Sequence, residues 1–295
     1  MTSTNSILRL VINLDSSLDR LEWMKDAFED LGLDFVRVPA SSPETFGDID
    51  DCVLMPNGLG VEWTAGEIGC FLSHRQCWKR AAVAEEDFTA IFEDDLHFAP
   101  GAKKLLRTAE WIPGGIELLR FETTLQKVML STTAKKVDEF NIHELRSKHW
   151  GTGGYLISRS GAIKLISRSH EIRWPVDIFM FDPVRVKNDL TSWQINPAIC
   201  IQDSVLFSEA ARFSPTIVRP GKVARRLEKP RGKAKFQSEI SRPFRRFAEK
   251  LGRIVRRESQ HVVPLKNQQN LASDKRRQTS LCPPHRKIAP CSQKD

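Results

Sequence analysis

Three consecutive acidic residues, Glu93, Asp94 and Asp95, end a short apolar run that begins at Phe88. Carboxylates are rarely buried without a partner, so acids that follow a buried strand usually face a ligand or a metal ion. In an extended chain Glu93 and Asp95 can face one side while Asp94 faces the other. Such oxygen ligands suit Mg²⁺ or Mn²⁺ better than zinc. A solvated acidic turn is the alternative interpretation, and the run alone leaves both open.

The residues before this run predict an α/β fold. Apolar residues over 7–14 and 34–38 predict two buried strands. Between them, apolar residues spaced by three, four and three predict an amphipathic helix over 16–31 that ends at Gly32. A strand, a helix and a second strand in this order favour a parallel sheet.

The elements further along the chain follow from similar patterns. Thr64–Glu67 has the T-x-x-E form of a capping box and predicts the start of a helix that continues to about residue 84. Polar residues 123–148 are expected to form a flexible or inserted segment. The other predicted elements are strands over 88–92, 115–121, 149–158 and 197–201, and helices over 101–111 and 160–167.

The charge of the chain is divided unevenly. Of the net charge of +8 over 295 residues, residues 218–295 contribute 22 Lys and Arg against 6 Asp and Glu, which leaves −8 for residues 1–217. The six cysteines form no CxxC pair or zinc spacing, so we expect reduced thiols of a cytosolic protein. No signal peptide is expected, and no stretch approaches the roughly 20 apolar residues of a membrane-spanning helix.

The basic tail carries one regular pattern. Apolar residues recur at spacings of three and four over 236–254 with basic residues between them, which predicts an amphipathic helix for an anionic membrane surface. A helix docked on the acidic body is the alternative, and nucleic-acid binding is disfavoured because no reading motif accompanies the charges. We expect a transferase domain over 1–217, a basic membrane-associating segment over 218–258, and disorder over 259–295.

Four segments together resemble a known family. VINLDSSLDRLEWM, WTAGEIGCFLSHRQCWKRA, FEDD and GTGGYLISRSGA occur in the order found in glycosyltransferase family 25, and the resemblance covers roughly residues 7–205. It implies a GT-A-like, Rossmann-type mixed sheet flanked by helices. It also implies inverting transfer of galactose or glucose from a UDP-sugar, and we expect the acceptor to be a surface glycan such as the lipopolysaccharide core. From the basic tail and such an acceptor we expect a peripheral protein on the cytoplasmic face of the inner membrane.

The resemblance assigns roles to particular residues. Asn13 could read a uracil edge, Asp15 could accept from ribose hydroxyls, and Arg20 could bind the pyrophosphate. Structural roles are the alternatives: Asp15 could cap a helix, Arg20 could pair with an acid, and Glu67 could serve only the capping box. The expected nucleotide-sugar site comprises Asn13, Asp15, Arg20, Ala40, Glu67, Ser73 and His74. The expected ligands of Mn²⁺ or Mg²⁺ are Glu93, Asp94 and Asp95.

An inverting transfer also needs a base that takes the proton of the acceptor hydroxyl. An acid recurs in the resembling family at the position of Asp177, so Asp177 is the leading candidate, with Asp182 and Glu122 behind it. A turn or N-cap carboxylate is the alternative role for Asp177.

Two other functions remain open at this point. A metal-dependent phosphohydrolase could use the same acidic cluster, although the chain offers no His-Asp set at a recognisable spacing. A catalytically inactive adaptor with a basic membrane-binding tail is the non-enzymatic alternative. Hydrolysis of UDP-sugars with and without Mn²⁺ separates these functions from a sugar transferase.

Overall fold

A computed structural model describes residues 4–43, 45, 51–182, 185–186, 190–213 and 255–267 of the protein. The strands are β1 (Thr4–Asn13), β2 (Val36–Pro39), β3 (Val53–Leu54), β4 (Glu86–Phe92), β5 (Leu96–Phe98), β6 (Leu118–Arg120), β7 (Lys127–Val137), β8 (Phe140–Leu145), β9 (Gly154–Ser158), β10 (Glu171–Ile172), β11 (Ser192–Asn196), β12 (Cys200–Gln202) and β13 (Glu258–Val262). The helices are α1 (Leu18–Leu31), α2 (Ala65–Val83), α3 (Ala102–Arg107), α4 (Arg159–Arg168), α5 (Val176–Phe181) and α6 (Asp203–Phe207).

A mixed sheet of nine strands forms the centre of the molecule, in the order β13-β7-β8-β11-β6-β9-β4-β1-β2. Strand β1 pairs in parallel with both β2 and β4, whereas β9 runs antiparallel to β4 and to β6. The β7–β8 hairpin continues the sheet beyond β11. This mixed sheet flanked by helices confirms the α/β fold class expected from the sequence.

The parallel strands bring three chain segments to one edge. Leu10 of β1 is in register with Val36 of β2 and with Ile91 of β4. The carboxyl ends of these strands therefore lie side by side, with Asn13 near the residues that follow β2 and β4. In an open α/β sheet this edge is where ligands bind.

Helices cover the sheet on both faces. Ile7 and Val11 of β1 belong to a core cluster with Met24 and Phe28 of α1 and with residues of α3. Leu10 belongs to a second cluster, with residues of α2, α4 and α5. Because successive side chains of a strand point to opposite faces, the two clusters lie on opposite sides of the sheet. Burying both faces fixes the register of β1 and hence the position of its polar end.

Two predicted helix ends are confirmed. Helix α1 is followed by Gly32, whose φ of 58° lies in the left-handed region that favours glycine. Helix α2 begins with a complete capping box: the Glu67 backbone N–H donates to Thr64 Oγ1 at 3.2 Å, and the Thr64 N–H donates to Glu67 Oε2 at 3.1 Å. Among the described helices, none is long and apolar enough to cross a membrane.

Two sequence predictions are wrong. Residues 123–148 form the β7–β8 hairpin of the main sheet and not a flexible insertion. Residues 259–267, expected to be disordered, include most of β13, which pairs with β7. After β13, Val263 and Leu265 are buried, and the Ala198 N–H donates to the Pro264 carbonyl at 2.8 Å. Strand β13 gains its structure from a partner distant in sequence, which local patterns do not reveal. The amphipathic pattern over 236–254 lies outside the described residues.

Candidate active site

The three acids follow β4 at the carboxyl edge of the parallel strands. Asp94 has protein partners of its own: Asn13 Nδ2 donates to Asp94 Oδ2 at 2.8 Å, and Arg20 Nη1 donates to Asp94 Oδ1 at 2.9 Å. Arg20 also lies 4.0 Å from a carboxylate oxygen of Asp95. Both oxygens of Asp94 are thus held by neighbouring side chains, which fixes the loop that carries Glu93 and Asp95.

Glu93 and Asp95 converge on a third residue, Gln202. Its Nε2 donates to Glu93 Oε2 at 3.0 Å and to Asp95 Oδ1 at 3.4 Å. The two carboxylates therefore face the same point, as strand alternation predicts for residues two apart. The sequence analysis missed Gln202. It ends β12, so the rule that polar residues at strand ends face ligands would have found it.

The Glu93 carboxylate is held in place by further hydrogen bonds. Thr152 Oγ1 donates to Glu93 Oε1 at 2.6 Å, and His74 Nε2 lies 3.3 Å from the same oxygen. Burial raises the pKa of the Glu93 carboxyl, but the hydrogen bonds from His74 and Thr152 outweigh it, so the net pKa is lowered. Glu93 is therefore held as an anion in a fixed orientation.

The pKa of Asp95 is shifted in the opposite direction from that of Glu93. Burial, followed by repulsion from the Glu93 charge, raises the pKa of Asp95 to about 8. Burial also raises the pKa of Asp94, against the hydrogen bonds from Arg20 and Asn13. Two buried carboxylates that share one point without a cation repel each other, and a divalent cation there would favour the charged form of both. The carboxylate oxygens of Glu93 and Asp95 fit Mn²⁺ or Mg²⁺.

A cavity of about 440 Å³ lies directly beside these acids. Its walls come from the ends of β1 and β4, the loop after β2, and helix α2. The predicted site residues that line it are Asn13, Arg20, Ala40, Ser73, His74, Glu93, Asp94 and Asp95. Asp15 instead lines a neighbouring cavity of about 510 Å³ and forms an ion pair with Arg37. Eight of the expected site residues therefore lie around one cavity, and Asp15 lies beside another.

Asn13 and Arg20 hold the site together through the contacts to Asp94. Asn13 Nδ2 also donates to the Ser17 carbonyl at 3.0 Å, and its Oδ1 accepts from Arg37 at 3.0 Å. Asn13 is 1% exposed, and these bonds engage both ends of its amide. The geometry therefore gives Asn13 a positioning role toward Asp94 at the floor of the cavity.

Ser73 ties helix α2 to the loop after β2. Its hydroxyl donates to the Gly69 carbonyl at 2.6 Å and accepts the Ser41 backbone N–H at 2.9 Å. The backbone N–H of Ala40 donates to the Asn13 carbonyl at 3.0 Å. These bonds fix the cavity wall formed by the loop that begins at Ala40.

A second, smaller cavity adjoins the first. It has a volume of about 170 Å³, and Asp177 and Glu67 line it. Cys70, Glu93 and Gln202 line both cavities, so the two spaces meet at the acids. Asp177 stands in the first turn of α5, where the Gly151 backbone N–H donates to its Oδ2 at 3.4 Å. Glu67 combines its role in the capping box with a place in this wall.

The other two candidate bases lie elsewhere. Glu122 is fully buried: Arg120 Nη2 donates to its Oε2 at 2.7 Å and the Gly153 N–H donates to the same atom at 2.9 Å. Burial raises the pKa of Glu122 to about 7, against the attraction of Arg120. Asp182 follows α5 and accepts from the Arg185 backbone N–H at 3.1 Å. Neither residue lines either of these two cavities, whereas Asp177 lines the smaller one.

Glycine is required where the chain passes Glu122. A Cβ atom at Gly153 would lie 3.1 Å from Glu122 Oε1 and from Gln202 Cγ. Gly151 has a φ of 83°, and a Cβ there would lie 3.2 Å from the same oxygen. The glycines therefore let the backbone approach the buried carboxylate closely, which is how the segment before β9 reaches the acids.

Comparisons with known proteins point to one family. A family model described as glycosyltransferase family 25 (LPS biosynthesis protein) matches residues 7–180. The lacto-N-neotetraose biosynthesis glycosyltransferase LgtB of Neisseria meningitidis serogroup B is 30% identical over 206 residues, which cover 65% of this chain and 74% of LgtB. The lipooligosaccharide biosynthesis protein lex-1 of Haemophilus influenzae is 29% identical over 220 residues, with coverage of 70% and 71%.

Solved structures show a weaker likeness. A glycosyltransferase involved in the glycosylation of the major capsid of PBCV-1 aligns with a TM-score of 0.39 at 10% identity, over 67% of this chain and 93% of the other. At this level of similarity the alignment carries no information about function.

Proposed function

This chain belongs to glycosyltransferase family 25, and from that premise we propose that it moves galactose or glucose from a UDP-sugar to a hydroxyl of a surface glycan such as the lipopolysaccharide core. The match confirms the family expected from the sequence motifs. One observation carries the proposal: Glu93 and Asp95 converge on one point beside a cavity of about 440 Å³ at the ligand-binding edge of the sheet.

The acids are proposed to hold Mn²⁺ or Mg²⁺. Glu93 and Asp95 supply the converging carboxylates, and Gln202 can turn its amide oxygen toward the same point. Asp94, which the sequence also proposed as a ligand, has both oxygens held by Asn13 and Arg20, so we assign it to positioning. When bound, the cation supplies Lewis-acid stabilisation of the charge that develops on the departing diphosphate.

The donor is proposed to lie along the larger cavity. Ser73 keeps the loop that begins at Ala40 in place to contact the nucleoside, and His74 lies beside Glu93 on the same wall. Arg20 presents a guanidinium next to the acids, where its charge favours a diphosphate. Asp15 is proposed to reach the ribose from the neighbouring cavity, and Glu67 to support the wall from the capping box.

The acceptor is proposed to enter the smaller cavity. Asp177 lines this cavity together with Glu93 and Gln202, so an acceptor hydroxyl between them would lie near both the base and the metal ligands. As the acceptor oxygen attacks the anomeric carbon, Asp177 takes the hydroxyl proton, and the bond to the diphosphate breaks on the opposite face. This displacement inverts the anomeric configuration.

We further propose that the protein works on the cytoplasmic face of the inner membrane. A glycolipid acceptor and the basic amphipathic pattern over 236–254 support this proposal. Co-sedimentation with phosphatidylglycerol vesicles tests it: we expect binding that weakens with salt. Absence of binding at low salt would remove the membrane from the proposal and leave the transfer reaction standing.

Transfer itself is tested with the full chain, UDP-galactose or UDP-glucose, and truncated lipooligosaccharide as acceptor. We expect UDP release that requires both the acceptor and Mn²⁺ or Mg²⁺, and NMR of the product should show an inverted anomeric centre. Cleavage of simple phosphoesters at a similar rate would indicate a phosphohydrolase instead. No turnover of either donor with any acceptor would support the adaptor.

A further inference from the structure

We propose that Cys70, His74 and Glu93 form a second cation site, which takes a borderline-soft divalent cation such as Zn²⁺. The Cys70 sulfur, a His74 ring nitrogen and a Glu93 carboxylate oxygen all lie within 4.8 Å of one another. Cys70 and His74 are four residues apart on α2, so they share one face of the helix, and Glu93 meets them from the end of β4.

The donor set differs in chemistry from the carboxylate pair. Thiolate, imidazole and carboxylate are the ligands that zinc and cobalt accept in four-coordinate sites. Mn²⁺ and Mg²⁺ prefer sites built from oxygen alone, such as the one proposed at Glu93 and Asp95. All three residues line the larger cavity, so a fourth position could be taken by water.

Neighbouring side chains already orient the proposed ligands. Tyr155 Oη lies 2.9 Å from His74 Nδ1, which leaves Nε2 facing Glu93 at 3.3 Å. Trp78 Nε1 donates to the same Tyr155 oxygen at 2.9 Å. Such second contacts fix the ring of a ligating histidine and strengthen metal binding.

Both cation sites use Glu93. If the proposed function is correct, the two cations should therefore compete. One carboxylate cannot serve two cations at full strength, so Zn²⁺ bound by Cys70 and His74 should compete with Mn²⁺ at the acids. Zinc should then inhibit transfer reversibly, by binding to Cys70 and His74, which Mn²⁺ does not use, and to Glu93, which it does.

Cobalt titration of the full chain tests the site without any donor or acceptor. Bound Co²⁺ reports a thiolate ligand by a charge-transfer band in the near ultraviolet and four-coordination by strong visible bands. We expect both in the wild type. Cys70→Ser should remove the charge-transfer band and raise the Co²⁺ dissociation constant by about tenfold or more. The matched control Cys52→Ser changes another partly exposed free thiol and should keep the band.

Two further variants complete the test. His74→Gln should weaken Co²⁺ binding as Cys70→Ser does, whereas Asp95→Asn should keep the charge-transfer band. Circular dichroism shows whether each variant is folded, and Cys70→Ala replaces any Cys70→Ser protein that is not. The proposal is overturned if the wild type shows no charge-transfer band or if the band persists in Cys70→Ser.

Inhibition forms a separate arm. Zn²⁺ should inhibit Mn²⁺-supported transfer, and its inhibition constant should rise by about tenfold or more in Cys70→Ser relative to Cys52→Ser. Equal inhibition of both variants would show that zinc acts elsewhere. Because the cobalt spectra need no turnover, they can succeed when transfer fails and fail when transfer succeeds, so the two proposals are distinguishable.

Discussion

The two halves of the central sheet use charge differently. In the parallel half, β1 and β4 deliver Glu93 and Asp95 to the wall of an open cavity, where Asp95 has a raised pKa. In the other half, which is mostly antiparallel, β6 ends at Arg120, which pairs with Glu122 just beyond the strand; their side chains are 1% and 0% exposed. The first arrangement leaves charge to be neutralised by a ligand, whereas the second neutralises it internally. Substitutions in the first half should therefore cost activity, and those in the second should cost stability.

The largest effect is expected at Asp95. Asp95→Asn removes one of the two converging carboxylates, so transfer should fall by about a thousandfold or more, while the free energy of unfolding does not fall. Steady-state turnover at saturating Mn²⁺ and urea denaturation measure the two quantities. Near-normal turnover would contradict the metal assignment, and loss of folding would remove the contrast between the two halves.

The buried pair should show the opposite behaviour. Arg120→Met leaves Glu122 buried without its partner, and we expect a loss of about 3–5 kcal/mol in the free energy of unfolding. Arg173→Met is the matched control, because Arg173 pairs with Glu171 at the same spacing of two residues but on the surface. The control should lose less than about 1 kcal/mol. Equal losses in urea denaturation would show that burial does not distinguish the pairs.

Asp177 lines the smaller cavity but lies on helix α5, outside the sheet, so it tests the base separately from the acids. Asp177→Asn keeps the shape of the side chain but cannot take a proton, so kcat should fall by about a hundredfold. The dissociation constant of the UDP-sugar, measured by calorimetry, should stay unchanged. Asp182→Asn serves as control, since Asp182 does not line either cavity. A larger loss of kcat in the control would move the base to Asp182.

The last prediction concerns how the stability of the metal-free protein depends on pH. The pKa of Asp95 is about 8 in the folded chain and about 3.9 when unfolded. The unfolded state therefore loses this proton first, and the contribution of Asp95 to stability falls as pH rises from about 4 to about 8. Asp95→Asn removes this loss, so the variant should gain stability over the wild type at pH 8 more than at pH 5. Equal differences in the urea midpoint at both values would contradict the raised pKa.

The sequence predicted the parallel half of the sheet well. The capping box at Thr64, the glycine after α1 and the acids after β4 are local signals, and each fixes a short segment by itself. Gln202 and Thr152 reach the acids from segments more than fifty residues away. The end of β12 could have marked Gln202 as a site residue, but the contacts of Gln202 and Thr152 with Glu93 depend on how β9 and β12 pair, which no local pattern shows.

The antiparallel half was predicted less well because its strands depend on pairing with neighbouring strands, which local patterns do not show. Strand β7 alternates irregularly between buried and exposed residues, so its sequence resembles a polar insertion. Strand β13 lies in the basic tail, where charge suggested disorder. Both are strands because each finds a neighbour to pair with, and β-structure depends on such context more than helix does.

The return of residues 255–267 to the sheet matters for anyone who shortens this protein. A chain that ends at residue 217 would lack β13, the outer neighbour of β7. It would also lack Leu265, which packs with Ala99 and Ile201. An edge strand with unpaired backbone N–H and C=O groups can pair with other chains, so the shortened protein should aggregate during purification. A protein shortened at its carboxyl terminus should therefore keep residues up to 267.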